Sequence, residues 1–275
     1  MIQQNNTTQT IQTRLQEHYN SIITALPNQT ILGVFLQGSQ NYNLAYEESD
    51  IDSKAIILPN FNNFILNHKP TSTTHLMPND EHVDLKDIRL MFDCFKKQNI
   101  NFVEILFTEY KIINPLYQHI VDKLTYHREQ IARYNNYAAV NCICGMTLEK
   151  YKALEHPYPS IIDKIEKFGY CSKQLHHIIR MNEFIKRYIS GEPYATILIP
   201  KDPQYLIDVK RNVHTLEEAR NIAKTLNEET LNIKNEYMKN NPLQIGNEVG
   251  ELLNSILVDA IKQNFISEVR EEIVK

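Results

Sequence analysis

The spacing of apolar residues changes near residue 115, and this change limits the folds open to the chain. In the first part, short runs rich in β-branched and aromatic residues predict strands at 30–37, 49–58 and 81–86. A segment with helical spacing at 9–25 precedes the first of these runs. Residues 59–63 begin with a proline, so we expect a loop there.

Long segments with helical spacing dominate the second part, and Thr215-Leu-Glu-Glu218 carries the side chains of a capping box. The predicted helical segments are 116–155, 160–190, 215–239 and 247–273. The sequence therefore predicts an α+β fold, in which a small mixed sheet flanked by helices is followed by an all-helical C-terminal domain. The expected domain limits are 1–115 and 116–275.

Composition excludes several classes of protein. The net charge of −4 argues against a broadly basic nucleic-acid-binding protein, so contact with nucleic acid requires a local basic patch. No apolar run approaches the roughly 18 residues of a membrane span, and the first residues lack the pattern of a signal peptide. The four cysteines form no CxxC pair, which is typical of reduced thiols. We therefore expect a cytoplasmic protein with no membrane partner.

A glycine and a serine directly follow the first predicted strand. Gly38 lets the backbone approach a ligand closely, and Ser39 adds a hydroxyl group. If a helical turn begins here, its unpaired N–H groups favour an anion such as a phosphate. Gly-Ser pairs are common, so this pair alone indicates no function.

Two carboxylates lie close together on the second predicted strand. Asp50 and Asp52 are two residues apart, so their side chains point to one face with Cα atoms about 6–7 Å apart. Such carboxylates repel each other unless a cation lies between them. Mg²⁺ takes oxygen ligands, commonly a few carboxylates and substrate phosphates. The competing interpretation is a polar edge strand with solvated carboxylates.

Asp84 supplies a candidate third carboxylate on the strand predicted at 81–86. If this strand pairs beside 49–58, Asp84 can join Asp50 and Asp52. Three carboxylates around two metal ions suit phosphoryl transfer, because one ion activates an attacking hydroxyl and the other stabilises the leaving phosphates. The competing candidates for the third position are Asp80, Glu81 and Asp87.

A basic face is predicted on the helix within 160–190. Lys173, His177 and Arg180 fall within about 60° of one another at helical spacing. Residues 164–187 contain six Lys or Arg against two Glu, so this face is locally positive and could contact phosphates. A solvated helix face is the competing interpretation, and His177 could instead be a packing histidine. His176 lies toward the edge of the face and is a weaker candidate.

The first set of motifs resembles the signature of the DNA polymerase β-like nucleotidyltransferase superfamily. The resemblance is closest to a branch of bacterial and phage predicted nucleotidyltransferases that includes RNA-repair-associated members. That branch reads roughly GS-x-x-YGL followed by SD-x-D. The matching residues here are Gly38, Ser39, Tyr42, Leu44, Ser49, Asp50 and Asp52. Asn43 replaces the usual glycine, and a left-handed backbone tolerates that replacement.

The second half of the chain carries a further part of the resemblance. The same branch has Lys-x-x-x-His-x-x-Arg after a Gly-Tyr pair. Gly169-Tyr170 followed by Lys173, His177 and Arg180 reproduces it. The resemblance therefore extends from about residue 30 to about residue 195.

The resemblance implies an enzyme that moves a nucleoside monophosphate from a nucleoside triphosphate to an acceptor hydroxyl and releases pyrophosphate. Its catalytic and metal-binding residues would be Asp50, Asp52 and Asp84, with two Mg²⁺ ions as cofactors and Mn²⁺ as a substitute. Its nucleotide-binding residues would be Gly38, Ser39, Lys173, His177 and Arg180.

The expected acceptor is an RNA 3′ end, such as that of a tRNA, in a bacterial cell or in the host cytoplasm if the protein is phage-encoded. Alternative acceptors are a protein hydroxyl, as in antitoxin-like AMPylation, and a small molecule such as an aminoglycoside. A non-catalytic module that senses nucleotides is a further alternative. The sequence does not decide the oligomeric state.

Overall fold

A computed structural model describes residues 2–47, 49–243 and 247–274 of the chain. Within these ranges a five-stranded mixed sheet is flanked by helices, and a helical region follows, which confirms the predicted α+β class. Contacts divide the chain into two units. The first unit comprises Met1–Asn41, Ser49–Tyr134 and Gly246–Lys275, and the second comprises Tyr42–Glu48 and Asn135–Ile245.

The sheet belongs to the first unit and combines parallel and antiparallel pairings. Its strands are β1 (Thr30–Gln37), β2 (Asp52–Leu58), β3 (Ser72–Leu76), β4 (His82–Asp87) and β5 (Lys111–Ile113). Their spatial order is β3-β4-β2-β1-β5. Strands β2 and β4 run parallel, whereas the other neighbours run antiparallel. The beginnings of β2 and β4 therefore lie at the same end of the sheet as the end of β1.

Apolar burial explains the first helix and the first strand. Strand β1 is an almost unbroken apolar run, and all of its residues except the first and the last are buried. Helix α1 (Ile2–Ala25) covers the sheet with Leu15 and Ile22, which pack in one cluster with Val34 and Ile57. The predicted helix at 9–25 and the strand at 30–37 are both present.

The remaining helices of the first unit surround this sheet. They are α2 (Phe61–Ile65), α3 (Ile88–Lys96), α4 (Ile100–Val103), α5 (Gln118–Tyr126), α6 (Arg128–Arg133) and α13 (Asn247–Val274). Helix α13 packs against α3, α5 and β2, and it buries Leu253, Ile256 and Ala260 completely or almost completely. The last helix therefore packs with the first unit, which differs from the predicted division into 1–115 and 116–275.

The second unit is helical, and α9 is its central element. Its helices are α7 (Asn136–Ala153), α8 (Ile162–Phe168), α9 (Ser172–Ile189), α10 (Tyr194–Leu198), α11 (Pro203–Lys210) and α12 (Leu216–Asn240). Helix α9 packs against α7, α10, α11 and α12, and Leu175 and Ile178 are fully buried in that core. No helix within the described ranges has both the length and the apolar character that a membrane span requires.

Several elements differ from the sequence-based expectations. Strands β3 and β5 were not expected, because β3 has no buried residue and β5 spans only three residues. The predicted loop at 59–63 overlaps α2, which Asn60 caps by accepting from the N–H of Asn63. The long segments at 116–155 and 160–190 are divided into shorter helices. Asn135 caps the start of α7, and Gly169 ends α8 with a φ of +78°.

Candidate functional site

Three of the sequence motifs meet at one end of the sheet in the first unit. Gln37, the last residue of β1, pairs with Asp52, the first residue of β2. Gly38 follows with a φ of +84°, and a short 3₁₀ helix starts directly after it, at Ser39–Tyr42. Asn41 fixes this turn, because its side chain donates to the carbonyl of Leu36 at 2.9 Å. The Gly-Ser pair thus starts a turn beside the first carboxylate of the strand.

Gly38 is required by its backbone conformation. A Cβ atom added at this position would meet no atom within 4 Å, so no steric contact excludes a side chain. The left-handed φ, however, disfavours most other residues. The space beside its Cα atom is open, and close approach of a ligand to this backbone stays a prediction.

The parallel register brings two of the predicted carboxylates to one face of the sheet. Lys54 of β2 pairs with Asp84 of β4, so Asp52 and Asp84 lie diagonally across two neighbouring strands. Strand spacing and residue rise put their Cα atoms about 8 Å apart. The strand pairing on which the prediction for Asp84 depends is therefore present.

Each of these two carboxylates already has a basic neighbour. The Nζ of Lys54 lies 2.8 Å from Oδ2 of Asp84, and only 5% of Lys54 is exposed. Asp52 accepts from the backbone N–H of His82 at 3.0 Å, and the Nδ1 of His82 lies 3.4 Å from the same oxygen. Acidic and basic side chains thus alternate on this face of β2 and β4.

Asp50 does not share the strand geometry that the sequence predicts for it. Strand β2 begins at Asp52, so Asp50 precedes the regular alternation of faces, and its side chain is exposed. Ile51 is buried in the core, as expected. Among the described residues, no group of three or more His, Cys, Asp or Glu side chains is close enough to hold a metal ion.

The competing acidic candidates have structural partners. Glu81 accepts from the side chain of Arg14 at 2.6 Å and is also bonded to His18 at 2.9 Å. Asp87 caps α3 and pairs with Arg89 at 2.7 Å. Asp80 lies in a turn with a φ of +65°. Of the four candidates for the third carboxylate, Asp84 is the one on the same face as Asp52.

Lys54 is a residue that the sequence analysis missed. Its ammonium group lies 4.3 Å from the centroid of the Phe102 ring, and Lys86 lies 4.8 Å from the same ring. A lysine within the strand sequence SKAIIL is unusual, because strands with two buried faces are apolar. The contrast between this charged residue and the apolar residues after it is the sequence signal that could have identified Lys54.

The second unit contains a group of three basic side chains, Lys173, Arg180 and Lys210, which we call the cationic cluster. Lys173 and Arg180 lie two turns apart on α9, and Lys210 is the last residue of α11. The guanidinium of Arg180 stacks over the ring of Tyr42 at 3.9 Å. Its Nε and Nη2 atoms are buried and have no hydrogen-bond partner among the described residues.

Lys210 was not predicted from the sequence. Its Nζ donates to the carbonyl of Leu44 at 3.2 Å and lies 5.7 Å from the ring of Tyr46. Burial lowers the pKa of Lys210 to about 8, and the positive charges of Lys173 and Arg180 add to this effect. Lys173 and Arg180 therefore disfavour the charged form of Lys210.

The two histidines of α9 are neutral near pH 7. Burial lowers the pKa of His176 to about 3, and its Nδ1 donates to the carbonyl of Leu206 at 3.0 Å. Burial also holds the pKa of His177 well below its ordinary value, and neighbouring His176, Arg180 and Lys173 lower it further. A neutral His177 can donate a hydrogen bond to a phosphate, but it does not neutralise phosphate charge.

The remaining residues of the motifs have packing roles. Tyr42 and Leu44 are buried, and Asn43 has a φ of +58°, the left-handed conformation in which asparagine replaces glycine. A Cβ atom on Gly169 would lie 2.9 Å from a methyl group of Leu216. The hydroxyl of Tyr170 donates to the carbonyl of His214 at 2.8 Å. These contacts connect the motifs to the core of the second unit.

Part of the basic face of α9 is neutralised. Arg187 pairs with Glu183 and Glu192, and Lys186 pairs with Glu229. In the described part of the second unit, no ion pair joins a carboxylate to any member of the cationic cluster. The uncompensated charge is therefore concentrated in the cluster.

Comparison with known proteins does not identify the chain. No protein-family model matches it, and a search of curated proteins finds no match. The resemblance to the polymerase β-like superfamily therefore stays a prediction, carried by the motifs alone.

Proposed function

We propose that the protein is an Mg²⁺-dependent nucleotidyltransferase, which moves a nucleoside monophosphate from a nucleoside triphosphate to an acceptor hydroxyl and releases pyrophosphate. One observation carries the proposal: Gly38-Ser39, Asp52 and Asp84 assemble at one end of the sheet through the pairing of β1, β2 and β4. This assembly combines a turn that can bind phosphate with carboxylates that can bind a cation.

The donor set fits a hard divalent cation. Mg²⁺ is typically held by one or two carboxylates together with substrate phosphates, and Asp52 and Asp84 supply oxygen ligands, with Asp50 two residues before Asp52 in sequence. Asp52 and Asp84 would have to exchange His82 and Lys54 for the cation. When bound, Mg²⁺ supplies positive charge against the negative charge that develops on the reacting oxygens.

The residues of the chain have separate roles in this proposal. The backbone of Gly38 and the hydroxyl of Ser39 hold the outer phosphates of the nucleotide. Asp84 helps to take the proton of the acceptor hydroxyl at Oδ2, the oxygen that accepts from Lys54 in the present structure. In the second unit, Lys173 and Arg180 supply positive charge to phosphates, and His177 donates a hydrogen bond.

An RNA 3′ end is the acceptor that we propose. The support is the resemblance to RNA-repair-associated proteins together with the uncompensated charge on α9. A protein hydroxyl and a small molecule are the competing acceptors. Incubation with each of the four α-labelled nucleoside triphosphates and total RNA, lysate protein or an aminoglycoside distinguishes them by which fraction takes up the label.

The decisive experiment uses variants of the two carboxylates. Asp52→Asn and Asp84→Asn should each lower transfer of label by at least about 100-fold, because a neutral amide binds a dication poorly. Asp93→Asn, an exposed site on α3, is the matched control and should keep full activity. EDTA should abolish transfer, and Mg²⁺ or Mn²⁺ should restore it. Full activity of Asp52→Asn and Asp84→Asn would contradict the proposal.

A non-catalytic nucleotide-binding module is the second candidate function. The pairs Asp52–His82 and Asp84–Lys54 favour it, because they balance the carboxylates without a metal ion. Calorimetric titration with each nucleoside triphosphate, with and without Mg²⁺, separates the two candidates. Binding that needs no metal ion, together with no transfer to any acceptor, would favour the module.

A further inference from the structure

Three cations of the second unit lie on two helices, α9 and α11, that pack against each other. Lys173 and Arg180 lie on one face of α9, and Arg180 lies over the ring of Tyr42. Lys210 donates to the carbonyl of Leu44 in the same loop. The charges of Lys173 and Arg180 also lower the pKa of Lys210. No described carboxylate of this unit forms an ion pair with any of the three. Like charges held together oppose folding, so an arrangement of this kind is typical of a site that binds an anion.

Arg180 gives an independent indication of a ligand. Its guanidinium carbon lies 3.9 Å from the centroid of the Tyr42 ring, yet neither Nε nor Nη2 has a hydrogen-bond acceptor among the described residues. Buried charged donors almost always have an acceptor, because leaving one unpaired costs free energy. Phosphate oxygens are the acceptors that match the planar fork of a guanidinium.

The dimensions of the cluster suit a chain of phosphates. Lys173 and Arg180 are seven residues apart on α9, which corresponds to about 10 Å along the helix axis. Lys210 comes from a different helix, α11, which packs against α9. The side chains of Lys173 and Arg180 can converge on one phosphate, but linked phosphates offer each cation a phosphate group of its own.

We propose that Lys173, Arg180 and Lys210 form a metal-independent binding site for an oligophosphate, and that Lys210 is a phosphate-binding residue of this site. Its assignment to the triphosphate of a nucleotide rests on the proposed function. Oligophosphate binding itself does not, and it can be measured without any nucleotidyl transfer.

Calorimetry with inorganic tripolyphosphate tests the site on the full chain in EDTA and about 0.15 M salt. The wild type should bind tripolyphosphate at least tenfold more tightly than orthophosphate. Lys210→Gln should weaken tripolyphosphate binding about tenfold, because it removes one charge-assisted contact. Arg211→Gln is the matched control: Arg211 is the next residue and lies 5.4 Å from the Tyr46 ring, and its variant should bind within about twofold of wild type.

The pH dependence provides a second readout that a structural role would not change. Lys210 faces Lys173, Arg180 and His176 of α9 and the ring of Tyr46, and its pKa of about 8 means that it loses its charge between pH 7 and pH 9. Lys210→Arg should bind as tightly as wild type at pH 7 and more tightly at pH 9. Both proteins bind the same ligand, so the ratio of their dissociation constants at each pH cancels the effect of the titration of tripolyphosphate itself.

A second variant serves as a control for loss of protein stability. Arg180→Gln removes a guanidinium whose Nε and Nη2 atoms are buried and could unfold the unit. Lys173→Gln, at an exposed position, is therefore measured beside it and should also weaken binding. Equal losses in Lys210→Gln and Arg211→Gln, or equal affinities for orthophosphate and tripolyphosphate, would overturn the proposal. Binding that persists in Asp52→Asn, a variant without transfer activity, would support this site independently of the catalytic proposal.

Discussion

At the scale of single residues, a buried polar network connects α1 to the sheet. The ring of His18 is bonded to the hydroxyl of Ser53 at 2.9 Å and to the carboxylate of Glu81 at 2.9 Å. Arg14 donates to the same carboxylate from two nitrogens. His18 and Ser53 are completely inaccessible to solvent, so no substrate can reach the hydroxyl. The network is therefore a structural connection.

The pKa of Glu81 makes this network a source of pH-dependent stability. Burial alone would raise the pKa, but hydrogen bonds from Arg14, Asn79 and His18 outweigh it and hold the pKa below its ordinary value. A carboxyl whose pKa is lower in the folded state stabilises the protein above its unfolded pKa. That stabilisation is lost as the pH falls through the folded-state value.

Glu81→Gln should lower the free energy of unfolding at pH 7 by about 2–3 kcal/mol, because it weakens hydrogen bonds to a charged group. The difference from wild type should shrink as the pH falls through the lowered pKa of Glu81, because the wild-type carboxyl is then protonated as well. Urea unfolding at several pH values measures it. Glu109→Gln, at an exposed carboxylate, should change stability little, and a loss that is constant over pH would contradict the assignment.

At the scale of elements, local sequence signals explain where α12 begins. The capping box predicted at Thr215 and Glu218 is present: the N–H of Glu218 donates to the Thr215 hydroxyl, and the Glu218 carboxylate accepts from the N–H of Thr215. Helix α12 then packs on α7 and α9, with Ala219 and Ala223 fully buried. Its start therefore contributes to the core that supports α9.

Thr215→Ala should lower the free energy of unfolding by about 1 kcal/mol, because an N–H group at the start of α12 loses its acceptor. Thr215→Ser keeps the hydroxyl and should retain most of the stability. Urea unfolding of both variants at pH 7 measures the difference. An equal loss in the two variants would instead assign the effect to the methyl group of Thr215.

Elements were predictable where the chain itself carries the signal. Strand β1 has the predicted limits because its apolar run is bounded by polar residues. Helix α12 begins and ends within one residue of the prediction because its cap is local. Strand β3 has no buried side chain, so its sequence lacks the alternation that reveals a strand. Neither the apolar run of a strand nor the local cap of a helix indicates which elements, distant in sequence, pair with each other.

The candidate site was predictable to a similar extent. Helical spacing brings Lys173, His177 and Arg180 together, and strand alternation aligns Asp84 with its face. Lys210 joins the cluster from another helix, and Lys54 pairs with Asp84 from another strand. Packing between elements therefore brings Lys210 and Lys54 to their positions. The local spacing of residues in the sequence carries no information about that packing.

At the scale of the whole molecule, the first unit is completed by the end of the described chain. Asn264 of α13 accepts from the hydroxyl of Tyr117 at 2.9 Å and donates to the carbonyl of Pro59 at 3.0 Å. Leu253 is fully buried in the same helix, which packs against β2. The sheet thus depends on a helix that lies almost 190 residues beyond β2 in sequence.

Leu253→Ala should lower the stability of the first unit by about 2–5 kcal/mol, because it leaves a cavity in a packed core. Hydrogen exchange should accelerate in β2, α3 and α5 more than in α9 and α12. Leu231→Ala is the matched control, since Leu231 is 45% exposed on α12 and its removal leaves no cavity. Accelerated exchange centred on α9 would show that α13 supports the second unit instead.

The loop that carries Tyr42 and Tyr46 packs with the second unit, although the chain on both sides of it belongs to the first. A fragment cut out as residues 135–245 would therefore fold, if at all, without the ring on which Arg180 rests. The shortest stretch of gene that encodes the cationic cluster with its aromatic support runs from codon 42 to codon 210. Recombination that exchanged the helices alone would separate the guanidinium from its ring, so the loop and the helices are expected to be inherited together.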